Sequence, residues 1–221
     1  MLSEVFYSEC LFCKQKISFT DLICEVCFNN FERITFSCHK CGYPLESDYI
    51  ICRNCFQARF YEKIMVSYWY NYEMRTLLKY YKFHYGFKNL KIFERLLSGL
   101  CIEDNYHIVT PVPVYISRRL VRLIQPAYYL SKIISKKFGI PYKTLLKRVR
   151  FTEYQWKLKR NLRIKNIKGA FECMDDVKGL KILLVDDIIT TGATINECAR
   201  ILKKSGAKRV DIFCLSKGMF L

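Results

Sequence analysis

No apolar run in this 221-residue chain approaches the roughly 18 residues a helix needs to cross a bilayer. The opening residues, MLSEVFYSEC, lack the basic n-region and apolar h-region of a signal peptide. The expectation is a cytoplasmic protein whose thiols are kept reduced. Histidine is scarce, with three residues; His84 and His107 stand at no spacing that pairs them with another ligand or nucleophile. Acidic residues are also in short supply, 20 against 37 Lys and Arg, for a net charge of +17. The deficit is uneven. Residues 1–60 carry 6 basic and 7 acidic side chains, whereas residues 61–221 carry 31 and 13, a balance of +18. An excess of that size implies a polyanionic partner such as nucleic acid; enzymes with phosphorylated substrates also carry basic surfaces. Hydrophobic residues make up 51% of the chain, ample for a packed core and unlike a disordered sequence.

What the sequence has in plenty at its front is cysteine. Cys10/Cys13, Cys24/Cys27, Cys38/Cys41 and Cys52/Cys55 form four C-x-x-C pairs with a period of fourteen residues. A C-x-x-C knuckle aims two thiolates at one ion, and two knuckles complete a tetrahedral Cys₄ shell. Four knuckles make two shells, so about two structural Zn²⁺ ions are expected. Sequential sharing puts Cys10, Cys13, Cys24 and Cys27 on one ion and Cys38, Cys41, Cys52 and Cys55 on the other; interleaved sharing is the alternative. Disulfides do not suit a chain without an export signal, and a redox C-x-x-C would be single and set in a βαβ unit. A closed shell has no open position for catalysis. So small a module needs metal in place of a core. The later cysteines, Cys101, Cys173, Cys198 and Cys214, are isolated and read as buried apolar residues.

Residues 182–194, ILLVDDIITTGAT, combine a buried strand, two adjacent acids, a small-residue turn and the start of a helix. Ile182 to Val185 suit a parallel strand covered on both faces. Ile195, Cys198, Ala199 and Leu202 form the stripe of an amphipathic helix. Backbone N–H groups at that helix start, with the hydroxyls of Thr190, Thr191 and Thr194, can cradle a phosphate, and Gly192 and Ala193 allow close approach. Asp186 and Asp187 would repel the phosphate, so they face another part of the ligand, accepting from vicinal ribose hydroxyls or holding Mg²⁺ through water. No Gly-Lys-Ser/Thr follows, which excludes a Walker loop. The ordinary alternative is a strand-to-helix loop with an acidic cap. The stretch resembles the phosphoribosyl-pyrophosphate (PRPP) motif of type I phosphoribosyltransferases. That resemblance implies that Asp186 and Asp187 bind the ribose hydroxyls and that Thr190, Thr191, Gly192, Ala193 and Thr194 hold the 5′-phosphate, with Mg²⁺ accompanying PRPP.

Between the two motifs, strand is expected over 64–69, 107–114 and 142–146, helix over 70–83, near 92–97 and from Pro126 to Gly139, and further strand at KGAF, from Leu180 and over 209–216. Alternation of this kind is α/β with a largely parallel sheet flanked by helices. The expected division is a double zinc ribbon, residues 1–60, before a type I phosphoribosyltransferase-like domain, residues 61–221. The order of YEMRTLLKYYKF, VTPVPVYISRR, T-x-x-Q-x-x-L, R-x-x-N-x-x-GAF and the PRPP motif is similar to the ComF family, phosphoribosyltransferase-like proteins associated with natural competence. The chain departs from that family at 122–127, where RLIQPA replaces R-G-F-N-Q-A.

The resemblance implies a diphosphate turn from Pro113 to Arg119, with Arg118 and Arg119 reaching the ligand, and a basic closing loop over 148–160. It also implies PRPP and single-stranded DNA as ligands, and further partners among DNA-uptake proteins at the inner face of the membrane. Candidate DNA contacts are Arg75, Lys79 and Lys82 on one helix face, and Arg148, Arg150, Lys157, Lys159 and Arg160 on the loop. The alternative is an active phosphoribosyltransferase acting on a nucleobase or similar acceptor. No general base can be named from the sequence. Pyrophosphate release and salt-dependent DNA binding separate the two.

Overall fold

The computed structural model describes residues 7–47, 51–52, 55, 59–83, 90–115, 124–150 and 167–218. Strand β1 (Tyr7–Glu9) pairs antiparallel with β2 (Lys16–Ser18); a one-turn helix, α1 (Glu25–Phe28), follows; then β3 (Phe36–Ser37) pairs antiparallel with β4 (Pro44–Leu45). The cysteine ladder governs this part. Cys24 N–H donates to Cys10 Sγ at 3.4 Å, and Cys52 N–H donates to Cys38 Sγ at 3.2 Å. The Cys13 and Cys24 sulfurs lie 3.7 Å apart, those of Cys41 and Cys52 3.6 Å. Both relations recur 28 residues later, so the structural repeat is two knuckles, twice the sequence period.

The rest of the chain builds one sheet with helices on both faces. In order come β5 (Ile64–Trp69), α2 (Tyr72–Phe83), α3 (Lys91–Leu96), β6 (Ile108–Pro111), α4 (Pro126–Phe138), β7 (Leu146–Arg148), β8 (Phe171–Cys173), β9 (Lys181–Ile189), α5 (Ala193–Lys204) and β10 (Arg209–Lys217). The four-stranded sheet runs β5-β10-β9-β6, parallel at each pairing. Strand β9 is central, and its run of Ile182 to Val185 is buried on both sides. Leu183 and Val185 pack with α2, α3 and α4 through Leu77, Phe93 and Leu130. Ile182 and Leu184 pack with α5 through Ile195, Cys198 and Leu202. This two-sided burial explains the unbroken apolar run.

Helix boundaries follow local chemistry. Pro126 occupies the first turn of α4, where its missing N–H costs nothing, and Gly139 ends it in the left-handed region at φ 67°. The edge strand β5 is covered by the ribbon module. Ile34 N–H donates to Ser67 O, Trp69 N–H to Glu32 O, and Ile64 N–H to His39 O. These bonds satisfy a sheet edge that would otherwise be open. The third knuckle, Cys38/Cys41, packs so closely on β5 that a β-carbon on Gly42 would stand 2.6 Å from Val66 Cγ2.

Three expectations change. The strand expected at 142–146 forms at Leu146–Arg148 and pairs with β8; Tyr142 makes only a single bridge to Val109. Strand β6 is shorter than 107–114 and ends at Pro111, where prolines remove ladder donors. Cys198 and Cys214 are buried as expected, but Cys101, in the loop between α3 and β6, is exposed, and Cys173, at the end of β8, is half-buried. Among the described residues no helix is long and apolar enough to cross a membrane.

Candidate functional site

In each cysteine cluster, Cys10, Cys13, Cys24 and Cys27 or Cys38, Cys41, Cys52 and Cys55, the four sulfurs lie within 4.8 Å of one another. The sharing is sequential. A tetrahedron with arms of about 2.3 Å has edges near 3.8 Å, close to the 3.7 and 3.6 Å separations above. Electrostatics agree with a cation at the centre. Burial raises the Cys10 thiol, but N–H groups of Cys24, Cys13 and Phe12 outweigh it and bring the thiol down to about 6. Burial and the neighbouring sulfurs push Cys27 up to about 12. Backbone dipoles thus support one thiolate, and further ones need a metal's charge. Both clusters are suited to structural zinc.

The second site lies at the carboxyl end of the sheet, where open α/β folds receive ligands. Strand β9 continues beyond its apolar run through Asp186 and Asp187 to Ile189. Its end is held by β10: Ser216 Oγ donates to Asp187 O at 3.0 Å, Gly218 N–H to Ile189 O at 2.9 Å, and Lys217 Nζ to Thr190 O at 2.7 Å. Asp187 N–H donates to Asp186 Oδ1 at 2.9 Å. The Asp187 carboxylate takes an ion pair from Lys82 on α2, both side chains being mostly covered, at 13% and 14% exposure. Burial, then the charge of Asp187, pushes the Asp186 carboxyl well above the usual range, and Lys82 opposes that rise.

Thr190 and Thr191 lead to Gly192, which adopts φ 76° and starts α5. Glycine fits because a β-carbon there would be strained and would press within 3.4 Å of Ile189 Cδ1. Thr191 Oγ1 accepts from Ala193 N–H at 3.4 Å. Thr194 lies in the first turn. The acid pair and the turn are therefore joined in one rim, carboxylates on the strand side and helix start on the other.

The basic candidates separate. Arg75 and Lys79 are exposed on α2, but Lys82 is committed to Asp187 at the rim. Burial raises the Tyr70 phenol, while the charge of Arg75 lowers it and that of Asp187 raises it. Arg148 stacks over the Phe171 ring at 5.4 Å, and Arg150 Nη2 donates to Lys168 O at 2.7 Å. The β7–β8 pair adjoins α5 on the sheet face opposite α2, so Arg148 and Arg150 do not join the α2 patch. Pro113 is buried just past β6. Arg118, Arg119, Lys157, Lys159 and Arg160 lie outside the described residues, as do Arg122, Thr152, Gln155, Leu158, Arg163 and Asn166.

Sequence reasoning missed Lys217, Ser216, Tyr70 and Arg59. Lys217 is 1% exposed at the end of β10; nothing in RVDIFCLSK distinguishes a lysine that anchors a loop from one that ends a strand in water. Arg59 lies in a segment read as charge-balanced ribbon, with no motif around it.

Comparison with known proteins places both parts. Residues 1–56 match the double zinc ribbon domain, and residues 125–219 match the phosphoribosyl transferase domain. The chain is 27% identical to the DNA utilization protein YhgH of Salmonella typhimurium, across 94% of this chain and 96% of that one. It is 27% identical to competence protein F of Haemophilus influenzae, across 98% and 100%. With competence protein ComFC of Bacillus subtilis it shares 28% identity across 87% of this chain and 83% of the relative. Along nearly its whole length the chain is similar to these competence and DNA utilization proteins, and in it a double zinc ribbon precedes a type I phosphoribosyltransferase fold.

Proposed function

We propose that this chain binds PRPP at the carboxyl end of its sheet and single-stranded DNA on its basic surface, and serves DNA uptake. The observation that carries the reading is the joined rim: two adjacent carboxylates at the end of the central strand, continuous with a glycine turn and a helix start. Asp186 and Asp187 accept from the vicinal ribose hydroxyls, and Lys82 holds their combined charge in check. Thr190 to Thr194 receive the 5′-phosphate. The segment from Pro113 to Arg119 receives the diphosphate. Carboxylate oxygens are the donors Mg²⁺ prefers, so the acid pair suits a site where Mg²⁺ arrives with PRPP and neutralises the diphosphate. The relatives' names, competence protein and DNA utilization protein, support the cellular role. We place residues 1–60 as the zinc module, residues 61–221 as the ligand-binding domain, and the protein in the cytoplasm beside DNA-uptake partners.

The DNA reading rests on the +18 balance of residues 61–221. Arg75 and Lys79 lie on one face of the sheet and Arg148 and Arg150 on the other, so a strand that touches both groups must pass around the sheet. The expected contacts at 157–160 would extend that path. Binding should be insensitive to sequence and fall with salt, with a log–log slope of about −0.7 per phosphate contact. Reversing Arg75 and Lys79 to Glu should weaken an oligothymidine at every salt concentration and flatten the slope by about 1.4. Fluorescence anisotropy measures both; an unchanged slope rejects α2 as a contact, and a flat wild-type slope rejects DNA binding by charge.

A further inference from the structure

Among the described residues, one cation at the rim, Arg59, has no hydrogen-bond or ion-pair partner. Arg59, in the segment joining the second cysteine cluster to β5, lies over the glycine turn. Its Nη1 is 3.8 Å from where a β-carbon on Gly192 would stand. No hydrogen bond or ion pair holds this guanidinium among the described residues, and its Nε is buried with no hydrogen-bond acceptor. The backbone beside it is fixed: Phe60 N–H donates to Asn196 Oδ1 on α5 at 2.9 Å. Asn196 N–H in turn closes the first helical turn onto Gly192 O at 2.9 Å. The segment is thus pinned to the same turn whose N–H groups and threonine hydroxyls form the anion cradle.

A half-buried guanidinium without an acceptor is an unstable arrangement unless something else supplies the acceptor. Solvent reaches part of the side chain, but not Nε. Among the described residues, the carboxylates of Asp187 and Glu62 are taken by Lys82 and Lys203. The neighbouring groups are the Tyr61 phenol, whose ionisation Arg59 favours against burial, and the glycine turn. A planar fork beside a helix start matches a phosphate monoester, which can accept two parallel N–H bonds.

We propose that Arg59 is a ligand of the phosphate monoester bound in the Gly192 cradle, donated from the zinc-ribbon side of the chain and positioned by the Phe60–Asn196 bond. The inference rests on the cradle reading above and adds a residue outside the PRPP motif. It makes the site selective for a terminal phosphate, whether the 5′-phosphate of PRPP or that of a phosphorylated strand end, and makes the linker from the ribbons part of the binding surface.

The test is calorimetric titration of the full, zinc-loaded chain with ribose 5-phosphate, inorganic phosphate and Mg·PRPP. Arg59→Gln should weaken each by about tenfold or more, the loss expected for charge-assisted bonds. Arg59→Lys should fall between, since it keeps the charge and loses the fork. Asn196→Ala should weaken binding less than Arg59→Gln, because it loosens the segment without removing the cation. Thermal midpoints of the Arg59 variants should match wild type, since the guanidinium anchors nothing in the fold. Equal affinities in wild type and Arg59→Gln overturn the role of Arg59 and leave the cradle standing. A wild-type chain that binds none of the three probes overturns both. If Arg59→Gln lowers the thermal midpoint and Arg59→Lys restores stability without affinity, Arg59 is structural and the proposal fails.

Discussion

Replacing Lys82 with Met should cost PRPP affinity in a pH-dependent way. The change keeps an apolar side chain of similar length and removes the cation paired with Asp187. At contact, a unit pair in a partly covered site interacts by about 4 kcal/mol at an effective dielectric near 20. Desolvation and side-chain ordering offset most of that, leaving a net effect of about 1–2 kcal/mol. This corresponds to a dissociation constant weakened about 5- to 30-fold near neutral pH. The pH dependence follows from Asp186. Burial and Asp187 already hold its carboxyl well above the usual range, and Lys82 is what opposes the rise. Without Lys82 the group stays protonated to higher pH and accepts hydroxyl hydrogen bonds more weakly. The ratio of variant to wild-type dissociation constants should be largest at low pH and shrink as pH rises. Taking the ratio at each pH cancels the titration of PRPP's own phosphates. Calorimetry over pH 6–9 (about three decades of proton activity) measures it. A ratio near one throughout, or a loss equal at every pH, would refute the reasoning, the latter because a lost phosphate contact acts without regard to Asp186.

Elemental analysis should find about two zinc ions per chain, and chelation or Cys24→Ser should lower the thermal midpoint of the sheet as well as the ribbons, because residues 32–39 cover β5. Glu197→Gln tests the join between α5 and the KGAF turn, where the carboxylate takes Gly169 N–H and both Arg200 Nε and Nη2 at 2.8 Å. Arg200 can regain water at 29% exposure, so the loss should be about 1–2 kcal/mol, a fall of about 2–8 °C. Chiefly through Arg200, the folded-state pKa of Glu197 lies below its ordinary value. Its stabilisation is therefore complete above the unfolded value and disappears as pH falls through the folded one. Wild type and variant should melt apart at neutral pH and together in acid.

The elements most legible in the sequence were those whose signals are local. The strand–turn–helix around Gly192 is written in a switch from an unbroken apolar run to a helical stripe. The two ends of α4 are marked by Pro126 and Gly139, each with its own backbone reason. The cysteine ladder states its ligands, though the 28-residue structural repeat and sequential sharing needed coordinates. What could not be read depends on partners distant in sequence. Lys82 shares a helix face with Arg75 and Lys79, so spacing groups it with them; only the packing of α2 beside β9 turns it toward Asp187. Lys217 looks like a strand's polar end and is buried because β10 is central and a carbonyl of the β9 loop awaits its amine. The strand misplaced at 142–146 has the right apolar residues, but its partner β8 begins only at Phe171 and fixes the register further along.

The claim that most needs testing is that Asp186 and Asp187 serve a ligand's ribose. The measurement is titration of Mg·PRPP into wild type and Asp186→Asn/Asp187→Asn by calorimetry. Asparagine keeps size and shape; it removes the charge that burial penalises at Asp186 but leaves Lys82 without its partner at Asp187, so the variant's thermal midpoint is measured alongside and binding is compared where it is folded. The account predicts single-site binding by wild type and a loss of about tenfold or more in the double variant, as charge-assisted acceptors become neutral. Undiminished binding by the folded variant, or no binding by wild type, would contradict it.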